Sequence, residues 1–89
     1  MTHCVISHEV EDYAKWRAAY DKHESARTDA GIKSSRVYQD ANNPNVITVV
    51  AEGELSDLQA FANNPDLKTV MQEAGVKAAP NVMFVNDVT

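Results

Sequence analysis

The sequence predicts one α+β domain with the element order βαββαβ, and three observations carry that reading. Residues 10–31 form the longest stretch with helical spacing, and a second helical stretch ends near Gly75. Short runs rich in Val, Ile, Tyr or Phe flank both stretches. The third of these runs, Asn45 to Gly53, is apolar on both of its faces.

His3 to Val10 reads as the first strand, with Cys4, Ile6 and His8 on one side and Val5, Ser7 and Glu9 on the other. A long helix follows, from about Asp12 to Ala30. Asp12 caps its first turn, and Gly31 closes its last turn in a left-handed conformation. Trp16, Ala19, Tyr20, His23, Ala26 and Arg27 share one face of it. Ile32 to Gln39 is the second strand, with Ser34, Arg36 and Tyr38 on one face and Ser35, Val37 and Gln39 on the other. The turn formers of Asp40-Ala41-Asn42-Asn43-Pro44 then join it to an antiparallel third strand carrying Val46, Ile47, Val49, Val50 and Ala51.

Ser56-Asp57-Leu58-Gln59 matches a capping box and opens a short helix that carries Leu58 and Phe61. Asn64-Pro65 restarts it, with Asn64 as cap and Pro65 at the first helical position. Leu67, Val70, Met71 and Ala74 supply the apolar stripe up to Gly75. The last strand runs from Pro80 or Asn81 to Asp87, with Val82 and Phe84 opposite Met83 and Val85. This order is the split βαβ of ferredoxin-like folds, whose right-handed crossovers place both helical segments on one face of an antiparallel sheet. The other face is left open although the third strand is apolar on both sides. A second copy packed face to face is its simplest cover, so a homodimer is expected.

With 89 residues there is room for one domain with a small core. The single cysteine, Cys4, excludes an internal disulfide and fits a reducing, cytoplasmic location. The N-terminus lacks a basic region, and its apolar run is too short for a signal peptide. A formal charge of −5 argues against nucleic acid or an anionic membrane as partner. With 3 glycines a dinucleotide fingerprint is excluded. The scattered histidines lack metal-ligand spacing, so neither a metal nor another cofactor is expected.

His23 shares a helix face with Trp16 and Tyr20, at spacings that make them neighbours. It is a candidate acid or base, and its plainer role is a half-exposed histidine bonded to a backbone carbonyl. His8 is a second candidate base, near Arg36 or Tyr38 of the second strand, or else a strand-end residue meeting solvent or the dimer partner. Arg36 and Tyr38 share a face and could hold an enolate or ketone oxygen; the plainer role is pairing across strands, for example Arg36 with Glu52. Trp16 and Tyr20 can stack on a flat ligand or serve as core. Cys4 reads as a small buried hydrophobe.

Val10-x-Asp12-Tyr13-x-x-Trp16 at the opening of the helix resembles the small dimeric α+β-barrel proteins related to antibiotic-biosynthesis monooxygenases. Gly31, Asn43-Pro44-Asn45, Pro65-x-Leu67-Lys68-x-x-Met71, Ala74-Gly75-Val76 and Pro80 fit the same pattern, which spans nearly the whole chain. The resemblance implies a dimer whose sheets enclose a barrel, with a pocket between sheet and helices in each subunit. That group includes cofactor-independent monooxygenases of aromatic polyketides, haem-degrading enzymes, muconolactone-type isomerases and proteins of no known activity. Trp16 and His23 lie two turns apart, a spacing that does not match the Asn, His and Trp of haem-degrading members.

Two functions are therefore expected as alternatives. One is a cofactor-independent monooxygenase, cyclase or isomerase of a small oxygenated organic molecule. His8 or His23 would act as its base, with Arg36 or Tyr38 as oxyanion partner and Trp16 and Tyr20 as substrate wall. The other is a non-catalytic homodimer that binds a small molecule or serves as a structural partner.

Overall fold

The computed structural model describes residues 2–77 and 79–89. In chain order they form β1 (Thr2–Glu9), α1 (Tyr13–Lys22), α2 (Glu24–Asp29), β2 (Ser34–Gln39), β3 (Val46–Gly53), α3 (Leu55–Ala62), α4 (Pro65–Glu73) and β4 (Asn81–Asn86). The strands make one sheet in the order β2-β3-β1-β4, antiparallel at every pairing. This is the ferredoxin-like α+β arrangement.

Local chemistry sets most element ends. The Asp12 carboxylate accepts from the Ala14 N–H at 3.0 Å, satisfying one of the donors that a helix start leaves bare. Asn64 does the same for Asp66 at 2.9 Å, with Pro65 at the start of α4. Gly31 and Gly75 follow helix ends with φ of +90° and +87°, a region costly for side chains with a Cβ.

Two expectations need correction. The long helix is broken at His23, whose φ of −100° and ψ of 20° leave the helical region. Its N–H turns back to the Tyr20 carbonyl at 3.2 Å, and Arg27 Nη1 donates to the same carbonyl at 2.7 Å. A side chain from the next turn thus takes an acceptor that a continuous helix reserves for the backbone. The capping box at Ser56 is also unused. α3 begins two residues earlier, with Glu54 as a cap that makes no side-chain bond and whose carbonyl accepts from Leu58 N–H at 3.0 Å.

Register decides the two faces of the sheet. Cys4, Ile6 and His8 share the helix-covered face with Ile47, Val49 and Ala51. On that face Ile47 packs with Val10, Trp16, Val49 and Ala74, while Cys4 and Ala51 pack with Ile32 and Leu58. The opposite face carries Val5, Val50, Met83 and Val85, together with Arg36 and Tyr38. Met83 and Tyr38 are each 50% exposed there. β4, an edge strand, is exposed along its whole length.

Candidate functional site

His8, the second-last residue of the inner strand β1, lines a cavity of about 90 Å³ between the sheet and the helices. The residue is 8% exposed. Both of its ring nitrogens are buried without a hydrogen-bond partner, a condition met by no other buried side-chain nitrogen or oxygen among the described residues. Burial pushes the His8 pKa down from its ordinary value, because an imidazolium would lose its hydration there. The ring is therefore held neutral, with one N–H donor and one bare acceptor nitrogen.

α1 supplies the aromatic wall. The Trp16 ring lies 5.6 Å from the His8 ring and stacks on Tyr20 at 5.1 Å. The Tyr20 hydroxyl is hydrogen-bonded to Ser35 Oγ of β2, which ties helix to sheet. The Arg27 guanidinium lies 3.6 Å from the centre of the Tyr20 ring, in cation–π contact. His23 borders the same cavity at the α1–α2 break, and its Nδ1–H donates to the Ala19 carbonyl at 2.8 Å. In the neutral ring that leaves Nε2 as a free acceptor. Cys4 also lines the cavity; burial pushes its thiol pKa up, so it is present as the thiol.

Solved structures share this architecture. A protein of Bordetella bronchiseptica named as an antibiotic biosynthesis monooxygenase superimposes with a TM-score of 0.83 at 15% identity, over 99% of this chain and 97% of that one. SnoaB of Streptomyces nogalater, a cofactor-independent oxygenase, gives 0.79 at 9% identity, over 99% and 93%. A Nitrosomonas europaea protein named like the first gives 0.76 at 13%, over 100% of both chains. The fold is that of the antibiotic biosynthesis monooxygenases. No family model matches the sequence, and no curated protein sequence does either.

Within this monooxygenase-like fold, His8, Trp16, Tyr20 and His23 come together at one cavity. Arg36 and Tyr38 do not. They sit across from Val50 and Thr48, in the same rows as Val5 and Ser7, on the face of the sheet opposite His8. Arg36 is also not paired with Glu52, whose carboxylate lies 3.1 Å from His3 Nε2. The expected convergence of His8 with Arg36 or Tyr38 within one subunit is therefore corrected by strand register.

Sequence reasoning passed over Arg27, although it lies on the Trp16–Tyr20–His23 helix face, which was the available signal. It also passed over Phe61, Leu67 and Val70 as cavity wall; their apolar spacing pointed to packing against the sheet and carried no sign of a cavity. No group of three or more His, Cys, Asp or Glu among the described residues could hold a metal ion. No helix among them is long and apolar enough to cross a membrane.

Proposed function

We propose that the protein is an enzyme that encloses a small oxygenated organic molecule beside His8 and oxidises, cyclises or isomerises it without a cofactor. The observation that carries this reading is the neutral His8 ring with both nitrogens unpaired in a largely apolar cavity. A buried polar group left without partners costs about 1–3 kcal/mol. A ligand oxygen in the cavity recovers part of that cost, which favours occupation by an oxygenated molecule over an empty or purely apolar filling.

The bare His8 nitrogen can take a proton from the carbon beside a substrate carbonyl, and the C–H electron pair moves onto the carbonyl oxygen as an enolate. Return of the proton to a different carbon is an isomerisation. In an oxygenation, molecular oxygen is the oxidant: a substrate CH2 becomes C=O, and the second oxygen atom leaves as water with both hydrogens. Arg27 borders this cavity with its guanidinium engaged by the Tyr20 ring and carbonyl, so it fixes the aromatic wall instead of taking the oxyanion role expected for Arg36 or Tyr38. His23 Nε2 can accept a substrate hydroxyl, and Trp16 with Tyr20 offers a flat wall. The shared fold of SnoaB, itself a cofactor-independent oxygenase, supports this chemistry.

The homodimer belongs to the same proposal, because the open sheet face leaves Val5, Val50, Met83 and Val85 without a protein neighbour over them. A free, buried Cys4 accords with a cytoplasmic location.

Native mass spectrometry of freshly purified protein, followed by oxygen-uptake and product assays on the compound it carries, tests the function. Turnover lost in His8→Leu is the expected result, and full turnover by that variant would remove His8 from the mechanism. Binding without turnover is the second reading, favoured by the burial that lowers the basicity of His8. It predicts that the bound compound is recovered unchanged.

A further inference from the structure

A second, larger pocket of about 310 Å³ lies against the His8 cavity, and His23, Phe61, Leu67 and Val70 border both spaces. Its remaining wall comes from α2, α3 and the start of α4, and it includes Asp57, Asn64 and Asp66. We infer that the two spaces form one bipartite site for a phenol unsubstituted on both sides of its hydroxyl, whose hydroxyl meets His8 and whose outer substituent is uncharged or cationic. This rests on His8 as the polar anchor proposed above.

Size excludes fused rings from the inner space. A dry apolar cavity of ~150 Å³ is what benzene occupies in a well-studied case, and the His8 cavity is about 90 Å³. It takes the oxygen-bearing edge of one ring, and the rest of that ring must cross the Phe61–Leu67–Val70 boundary into the outer pocket. A bicycle fused beside the hydroxyl-bearing carbon presents too wide an edge to follow.

Hydrogen bonding selects the oxygen. A hydroxyl can donate to a bare imidazole nitrogen or accept from an imidazole N–H, so it satisfies whichever His8 nitrogen it meets. A carboxylate can only accept, and it would bring an unpaired charge into an apolar space. His8 is thus the buried, unpartnered side chain that marks the inner end of the site.

Charge selects the outer end. The outer pocket's wall includes the acidic residues Asp57 and Asp66 and no lysine or arginine. The Asp57 carboxylate lies close to Gly31, where an added Cβ would stand 2.6 Å from Oδ2. The nearest guanidinium on the inner wall, that of Arg27, is occupied with the Tyr20 ring and carbonyl. An anionic substituent is therefore repelled where an ammonium is attracted.

The test is a matched series, 4-ethylphenol, tyramine, 4-hydroxyphenylacetate and 1-naphthol, titrated into the full-length protein. Calorimetry gives the affinity, and nitrogen-15 shifts of the His8 ring report contact. Ethylphenol and tyramine are expected to shift His8. Hydroxyphenylacetate should bind at least about tenfold more weakly than tyramine, and naphthol more weakly than ethylphenol. Exchanging both carboxylates for amides, Asp57→Asn with Asp66→Asn, should erase the tyramine preference without altering packing. Equal binding of the anionic and cationic phenols, or tighter binding of naphthol, with His8 still shifted, overturns the bipartite site and leaves the proposed function standing. A series that shifts His8 in no case overturns both.

Discussion

The two faces of one sheet set opposite physical problems. On the helix-covered face, Ile47, Val49, Ala51 and Cys4 are buried, and the anomaly is a polar ring, His8, with nothing to bond. On the open face, Arg36, Tyr38, Ser7 and Glu52 are at home in water, and the anomaly is apolar: Val5, Val50, Met83 and Val85. One face is short of a polar partner and the other of an apolar one. In the proposed function a small molecule answers the first and a second copy the second, from opposite sides of the same four strands.

The largest expected effect separates the faces by packing. Ile47 is fully buried, so Ile47→Ala should cost about 2–5 kcal/mol in urea denaturation. Val50, three positions along β3 and on the other face, should behave differently. In a monomer Val50→Ala would cost about 0.5 kcal/mol or less. In a dimer its cost grows, and the denaturation midpoint of the wild type depends on protein concentration. Val50→Lys is the sharper probe: it should leave the helix-side core intact and convert the protein from dimer to monomer by analytical ultracentrifugation. A wild-type protein that sediments as a monomer breaks the comparison on its open side.

The next effect has the opposite sign. His8→Leu removes an orphaned polar ring from apolar surroundings, so it should stabilise the fold by about 1–2 kcal/mol while abolishing ligand binding. Loss of stability in that variant would mean that the ring makes bonds in solution, for instance to enclosed water.

pH then isolates the same residue. Burial lowers the His8 pKa in the folded chain, whereas the unfolded chain keeps the ordinary value of about 6.5. Between those two values the unfolded state binds a proton that the folded state refuses, so stability falls as pH drops through that window. Above about 6.5 the group has no effect, and below the folded value the loss is complete. Wild-type stability should decline relative to His8→Leu as pH falls below about 6.5. A constant difference between the two proteins across that range would place the titration elsewhere.

Element order was legible in the sequence because its signals are local. Asp12, Gly31, Asn64-Pro65 and Gly75 each act on their own turn, and all four mark an element end in the structure. The break at His23 was not legible, because apolar spacing continues through it and the cause is a bond from Arg27 back to Tyr20. The inward face of β3 was hidden for a related reason: with valines and isoleucine on both sides, alternation does not say which side the helices cover. Residue type alone suggests grouping Arg36 and Tyr38 with His8. Register shows that Tyr38 pairs with Thr48 while His8 pairs with Ile47, and one residue of offset puts them on opposite faces.

The smallest expected effect uses two tyrosines, one on each face. Tyr20 bonds Ser35 beneath the helices, and Tyr38 is half exposed on the open side. Tyr20→Phe removes one partner of a half-buried hydrogen bond and should cost about 1 kcal/mol, with a further loss of affinity if the bond holds the aromatic wall in place. Tyr38→Phe should cost about 0.5 kcal/mol or less while that face meets water. Urea midpoints measured at low and high protein concentration extend the comparison. If the Tyr38 cost rises to match that of Tyr20 as concentration increases, the open face is being covered as closely as the helix-side face. If it stays small at all concentrations, any contact between copies leaves Tyr38 outside it, and the apolar residues of β1, β3 and β4 must account for the cover without help from β2.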